Sequence, residues 1–560
     1  MTRPLANRRI RLLVAAFALV FILALGRAAW LQAVRAPGLN ELATDQQREQ
    51  TTLPAHRGAI YDRMGVELAF GEKATTVYAN PKQIVSPREA APIVARELGL
   101  EVDDVLGVIT DRTKGFVYVQ RQADPERAEA LERLDIVGIG FYPEERRVYA
   151  QQRVAAPLLG FAGVDNEGLA GIELQYDRAL AGQDGGETIV RDPFGRLLDV
   201  VDERSVEDGQ DLYLTIDHRI QAHVEEVLRE TRAEWGAKGA TAIVLDPRTG
   251  EILALAQAPG YDANAFASVP AERARLRAIT DPYEPGSTFK VVTVAAALEE
   301  ELVGPSTSFY LDDEIQVADR VIRELEPREP EMLSVRDILE RSSNVGVVTL
   351  ALELERQRLA GWIDRFGFGR RLGVDFPGES RGIVLPRARW TGSTIGTVPL
   401  GQGIAVTPLQ MAAAYGAIAN GGVQVTPHLV ARIAGQEVPA ASERRVLSGS
   451  TAAQLISMME GVVEEGTGTA AQVPGYTAAG KTGTAAKAEP TGGYSDSRYV
   501  ASFVGIVPAA SPKLVILVAV DEPTADIYGG IVAAPAFARI AEFALQYLDI
   551  PPDAPEDDAD

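Results

Sequence analysis

The sequence predicts an α+β protein with one N-terminal transmembrane helix, a mixed α/β middle segment, and a C-terminal unit in which about five antiparallel strands are flanked by helices. Three observations carry this. An uncharged stretch follows an arginine-rich start, short apolar runs bounded by turn residues recur after residue 239, and helix-period segments lie before, between and after those runs.

The chain of 560 residues suits about three domains. Arg3, Arg8, Arg9 and Arg11 precede any acid, and residues 12–26 carry no charge. Extended to residue 34, this segment makes a helix of about 34 Å, enough to cross a bilayer. The basic flank places residues 1–11 in the cytoplasm and everything beyond residue 34 on the far side, in a cell membrane crossed once. Arg27 shortens the strictly apolar stretch to a length that a cleaved signal peptide would also show. Its position near the outer end lets it snorkel, which favours an uncleaved anchor over residues 12–34.

Residues 35–210 read as short strands and helices with no catalytic cluster. Strands are expected at 75–78 and 115–119, and a helix at 124–134 with Asp124 as its N-cap. Residues 57–69 form a strand with a tight turn at Gly65. From residue 211 the texture changes. A strand at 212–216 and a helix at 221–231 lead to a hairpin over 239–256, turning at Asp246-Pro247-Arg248-Thr249-Gly250. Helices follow at 287–298, 333–340, 345–355 and 407–419, the last stopped by Asn420-Gly421-Gly422. Strands at 476–484, 499–507 and 513–520 precede a terminal helix at 535–548. This unit spans 211–549, and residues 550–560 read as an acidic disordered tail.

Composition narrows the chemistry. The formal charge is −23, so polyphosphate is repelled and nucleic acid is excluded as a partner. There is no cysteine, which removes disulfides, thiolate nucleophiles and cysteine metal sites, and the four histidines are scattered. Only eight of the 55 basic residues are lysines. Arginine cannot accept a proton, whereas a desolvated lysine can, so the positions that keep lysine deserve inspection.

Two of those lysines sit in suggestive places. Ser287 and Lys290 share a helix face after the loop Glu284-Pro285-Gly286, and the helix N-terminus favours an alkoxide on the serine and a neutral amine on the lysine. A serine hydroxyl needs such a base to become a nucleophile. Taken alone, the pair reads more readily as an N-capping serine beside a surface lysine. Ser342-Ser343-Asn344 falls in a break between helices, where capping is the ordinary explanation. Lys481-Thr482-Gly483-Thr484 ends an alternating strand, and there Gly483 lets another backbone approach. An edge strand of this kind can receive an extended peptide. Together, Ser-x-x-Lys, Ser-x-Asn and Lys-Thr-Gly make up a serine acyl-transfer set.

With these motifs in place the chain resembles the class B penicillin-binding proteins, which are peptidoglycan D,D-transpeptidases. The likeness extends to Arg57-Gly58-Ala59-Ile60-Tyr61-Asp62-Arg63, Tyr283-Glu284-Pro285-Gly286, Gly401-Gln402-Gly403, Thr407-Pro408-Leu409-Gln410 and Tyr528-Gly529-Gly530. Glu340-Arg341-Ser342-Ser343-Asn344-Val345-Gly346 and Val77-Tyr78-Ala79-Asn80-Pro81-Lys82 are most similar to the division-specific branch. The resemblance implies that 35–210 is an elongated pedestal of the penicillin-binding dimerisation type and 211–549 a transpeptidase domain.

It also implies roles. Ser287 is the nucleophile and Lys290 its base, while Ser342, between Lys290 and Lys481, relays the proton to the leaving D-alanine. Asn344 holds a stem-peptide amide, and Lys481, Thr482, Gly483 and Thr484 receive the terminal carboxylate. The backbone N–H groups of Ser287 and Thr484 form the oxyanion hole. The substrate is a stem peptide ending in D-Ala-D-Ala, β-lactams are its mimics, and no cofactor or metal is required. Division proteins and a polytopic lipid-linked glycan polymerase are the implied partners. A serine β-lactamase, a D,D-carboxypeptidase, a β-lactam sensor and a silent division scaffold remain open on the motifs alone.

Overall fold

The structure is a computed structural model that describes residues 3–35, 48–191, 197–489 and 492–554. By packing, the chain forms two units, Met1–His56 with Gly182–Gly209, and Arg57–Ala181 with Gln210–Asp560.

In the first unit the helix Arg3–Trp30 continues through Leu31–Arg35, and Arg8–Val34 is long and apolar enough to cross a membrane. The Arg27 guanidinium lies 4.6 Å from the centre of the Trp30 ring, so the charge inside the apolar run is placed against an interfacial aromatic. The same unit contains a three-stranded antiparallel sheet, Arg48–Leu53, Gly185–Arg191 and Leu197–Arg204.

The second unit is organised by two sheets. One has seven strands and crosses the boundary expected at residue 210. Ile60–Tyr61 pairs antiparallel with Glu67–Ala79 and parallel with Leu212–Leu214, which in turn pairs with Val430–Ile433. Glu67–Ala79 also pairs with Val117–Ala123 and Ile139–Tyr149. The tight turn expected after Ile60–Tyr61 is present, and Asp62 makes it by accepting the N–H groups of Met64 and Val66. Asp124 caps the helix Pro125–Glu132 as expected.

The other sheet has five antiparallel strands in the order Ile252–Ala258, Gly239–Leu245, Leu514–Asp521, Tyr494–Val507, Ala479–Ala488. Its alternation serves two cores. Leu514, Ile516, Val518 and Val520 point into one, with the helices His218–Glu234 and Ala534–Tyr547. Val515, Leu517 and Ala519 point into the other, which holds the helices Lys290–Glu299, Asn344–Arg365 and Pro408–Ala419. A sheet buried on both faces needs apolar residues at every position, which explains the unbroken run Leu514–Val520.

Three expectations change in detail. Leu333 belongs to a strand, Glu331–Ser334, because Ser334 caps the next helix through a reciprocal pair with Asp337 and starts it at Val335. The helix expected to end at Glu355 continues to Arg365 after a break there. The tail expected from 550 is held through Ala554: Tyr476 donates to Ile550 O at 2.7 Å, and Asp553 accepts from Thr477 N and Oγ1 at 2.8 and 2.6 Å. The remainder of that tail, 555–560, lies outside the described residues.

A buried ionic cluster ties the Arg57 segment to the strand Ile139–Tyr149. Glu173, with no exposed surface, accepts from Arg57 Nε and Arg147 Nε at 2.7 Å each, and from Tyr149 at 3.3 Å. Arg57 also reaches Asp177 at 2.8 Å and the Asn166 carbonyl at 2.8 Å, and Arg147 reaches Gly58 O at 2.9 Å. Removing the central acid takes away the carboxylate paired with buried Arg147 and leaves Arg57 with Asp177. Glu173→Ala is expected to lower unfolding stability by about 3–5 kcal/mol, read from denaturant unfolding of the detergent-solubilised chain.

Candidate active site

Ser287 and Lys290 lie on one turn. Gly286–Phe289 is a 3₁₀ turn that runs into the α-helix Lys290–Glu299, and the Lys290 N–H donates to Ser287 O. The tighter first turn differs from the plain α-helix start expected at 287. Ser287 is half-buried, whereas Lys290 is 1% exposed. The turn is braced from beneath: Thr288 Oγ1 donates to Pro285 O at 2.8 Å, and Tyr415, fully buried, donates to Thr288 O at 2.9 Å.

Residues 341–343 connect two helices, and Ser342 sits there at φ +59°, a left-handed conformation that costs a non-glycine residue energy. This places Ser342 and Asn344 around the lysine. Lys290 Nζ donates to Ser342 O at 2.5 Å, Asn344 Oδ1 at 2.7 Å and Ser342 Oγ at 3.2 Å. Ser343 does what capping predicts for it, accepting the Gly346 N–H at 2.9 Å.

The third motif lies on the edge strand Ala479–Ala488, with Lys481 opposite Val504 and Gly483 opposite Ser502. Lys481 has no exposed surface, and its Nζ lies 3.3 and 3.4 Å from Thr482 Oγ1 and O. The expected link from Ser342 on to Lys481 is not among the hydrogen bonds of the described residues. Thr484 Oγ1 accepts the Gly529 N–H at 3.2 Å, and Thr482 Oγ1 is 2.7 Å from Thr467 Oγ1.

Glycine at 483 has a steric reason. A Cβ there would stand 2.5 Å from Ser502 Oγ, 2.9 Å from Thr288 Cγ2 and 3.0 Å from Pro285 O. The serine turn therefore rests on the strand at that residue. Gly286, at φ +56°, lies over Thr484 and Ala485, so Ser287 and Thr484 are brought to the same place from distant parts of the chain.

Burial dominates the electrostatics. Desolvation pushes the Lys290 amine down to about 7, opposed by the charge of Glu324. Lys481 is pushed well below its ordinary value, first by burial and then by repulsion from Lys290. An amine brought down to about 7 on the same turn as a serine is suited to act as a base, and no hydrogen bond between these two side chains is among those of the described residues.

Several contributors carried no sequence signal of their own. Glu324 accepts the Asn344 N–H at 2.7 Å and the Ser343 hydroxyl, and Arg323 O accepts Asn344 Nδ2 at 2.8 Å. They lie at the start of the charged stretch 323–331, which reads as a solvated loop. Glu284 accepts the Gly403 N–H at 3.0 Å and Thr467 braces Thr482. Elsewhere, Asp62, Asp217 and His218 have spacing that could hold a metal ion. Their oxygens are already engaged, with Asp62 on two backbone N–H groups and His218 Nδ1, and Asp217 capping a helix.

Comparison with known proteins agrees with this geometry. The family described as penicillin binding protein transpeptidase domain matches residues 240–542, and that described as penicillin-binding protein dimerisation domain matches 52–214. The chain is 34% identical to "Probable peptidoglycan D,D-transpeptidase PenA" of Neisseria meningitidis serogroup A, over 98% of this chain and 94% of the relative. It is 33% identical to "Peptidoglycan D,D-transpeptidase FtsI" of Escherichia coli K12, over 98% and 93%. Among solved structures, penicillin binding protein 3 of Mycobacterium tuberculosis superimposes with a TM-score of 0.72 at 29% identity, over 90% of this chain and 99% of that one, and it has also been solved complexed with aztreonam. A serine turn, a buried lysine pair and a lysine-bearing edge strand, carried by a chain that aligns end to end with these relatives, place it in the class B penicillin-binding protein family.

Proposed function

We propose that this chain is a membrane-anchored serine D,D-transpeptidase that cross-links peptidoglycan stem peptides during septal wall synthesis and is acylated by β-lactams. The observation that carries the reading is the Lys290 amine, one turn from Ser287, which burial pushes down to about 7 and which the oxygens of Ser342 and Asn344 hold in place.

In this mechanism Ser287 Oγ attacks the carbonyl carbon between the last two D-alanines while Lys290 takes its proton. The negative oxygen that forms is held by the backbone N–H groups of Ser287 and Thr484, which the contact at Gly286 brings together. Collapse breaks the C–N bond, and the departing D-alanine amine receives its proton through Ser342. An amine of a neighbouring stem peptide then attacks the ester, forms the new amide and releases Ser287.

Lys481, with Thr482 and Thr484, receives the terminal carboxylate. An arriving carboxylate favours the charged form of Lys481, and a charged Lys481 disfavours charge on Lys290. Substrate binding thus readies the base. Asn344 adds a stem-peptide contact, although its Oδ1 is engaged with Lys290 in the free protein.

The apolar helix and the two family matches support a division into tail 1–11, anchor 12–34, pedestal 35–210 and transpeptidase 211–549, with the acidic segment 550–560 behind it. On this reading the N-terminus is cytoplasmic and the catalytic domain lies outside the membrane. The anchor and pedestal meet division proteins and a lipid-linked glycan polymerase. The septal assignment rests on residues 340–346 and 77–82, which are most similar to the division-specific branch.

Three outcomes test the site. Ser287→Ala abolishes covalent labelling by a fluorescent penicillin without changing the unfolding temperature, and label found on another residue overturns the assignment. Lys290→Arg keeps the charge but not the base, so acylation falls by about 10²–10⁴-fold. Because the neutral amine is the active form, the acylation rate of the wild-type protein falls as pH drops through about 7, which stopped-flow acylation measures directly.

A further inference from the structure

We propose that Glu324 is a positioning residue for acylation: its carboxylate holds residues 343 and 344 so that the oxygens of Asn344 and Ser342 surround Lys290. This rests on the transpeptidase reading and names a group that the three motifs do not contain.

The carboxylate spans the turn. One oxygen accepts the Ser343 hydroxyl and the other the Asn344 N–H at 2.7 Å. The neighbouring residue completes the grip, since Arg323 O accepts Asn344 Nδ2 at 2.8 Å. With its amide nitrogen committed there, Asn344 can present only Oδ1 to Lys290, at 2.7 Å. Glu324 thereby fixes the backbone on which Asn344 stands, and Arg323 fixes which way its amide faces.

Glu324 is itself anchored. Its side chain is 8% exposed, its N–H donates to Asp313 O at 2.8 Å, and Arg328 approaches it at 3.3 Å while donating to the carbonyls of Leu311 and Asp312. A buried carboxylate with three such partners is a rigid support.

The charges facing Lys290 come from two elements. Lys481 on the edge strand opposes its protonation, and Glu324 favours it, while Ser342 and Asn344 are neutral. Arg328 is paired with Glu324 at 3.3 Å. Glu324 therefore affects acylation twice, through the geometry of the oxygens and through the field at the amine. A residue that merely stabilised the loop would do neither.

The test is the pH profile of acylation by a fluorescent penicillin, using the full-length chain in detergent. Glu324→Gln keeps the shape and removes the charge. Its acidic limb is expected to move down by about one pH unit and its high-pH plateau to fall by about tenfold. Glu324→Asp keeps the charge but is too short to span both donors, so its plateau falls while its limb stays with the wild type. A Gln variant whose limb does not move, or whose plateau is unchanged, overturns the proposal. Should that variant fail to fold, the Asp variant decides, and an unchanged plateau overturns it. If penicillin does not label Ser287 in the wild-type protein, the functional reading fails first; labelled Ser287 with a profile indifferent to Glu324 rejects this inference alone.

Discussion

Two amines buried in one space are the constraint on which the site depends. Lys290 and Lys481 are 1% and 0% exposed, and among the described residues neither forms a salt bridge. Burying two ammonium groups together is prohibitive, so the fold keeps charge low and surrounds the nitrogens with neutral oxygens. The left-handed Ser342 and the commitment of the Asn344 amide follow from that need, since each directs a neutral oxygen toward Lys290. Glu324 acts the other way and favours the charged amine.

A second constraint is closeness. The serine turn and the lysine strand approach at Gly286 and Gly483, where a side chain would collide. Gly401 and Gly529 extend the same contact. A Cβ on Gly401 would stand 2.3 Å from Gly286 O, and one on Gly529 would stand 2.4 Å from Gly483 O. Four backbones meet without intervening side chains, which accounts for glycine beside each segment and for the burial of polar groups between them.

Much of this was legible in the sequence. The five strands and their flanking helices follow from short apolar runs, turn residues and helical periodicity, because those signals are local. The three motifs were legible because they combine residue types that acyl transfer needs. The supports were not. Glu324 and Thr467 act through contacts between segments 15 to 20 residues apart, and nothing in their neighbours distinguishes them from a solvated acid or a loop threonine. Glu284 stands in a run that the sequence singles out, but its contact with Gly403, 119 residues away, has no local signal. The break before the second catalytic helix was expected, but the positive φ of Ser342 has no local residue signal. The helix expected from Leu333 shows the converse, where a single capping pair outweighs helical periodicity.

The seven-stranded sheet has a consequence for how the chain is made. Ile60–Tyr61 has Leu212–Leu214 on one side, and that strand is completed only by Val430–Ile433. A chain delivered from its N-terminus exposes the early strands long before their last neighbour arrives. Some 370 residues separate the first strand of this group from the last. Pairing over such a separation is slow and leaves an open edge while it waits. Residues 57–181 and those from 210 onward are therefore bound together as one late-closing folding unit, and a net charge of −23 helps keep unfinished chains apart in the meantime.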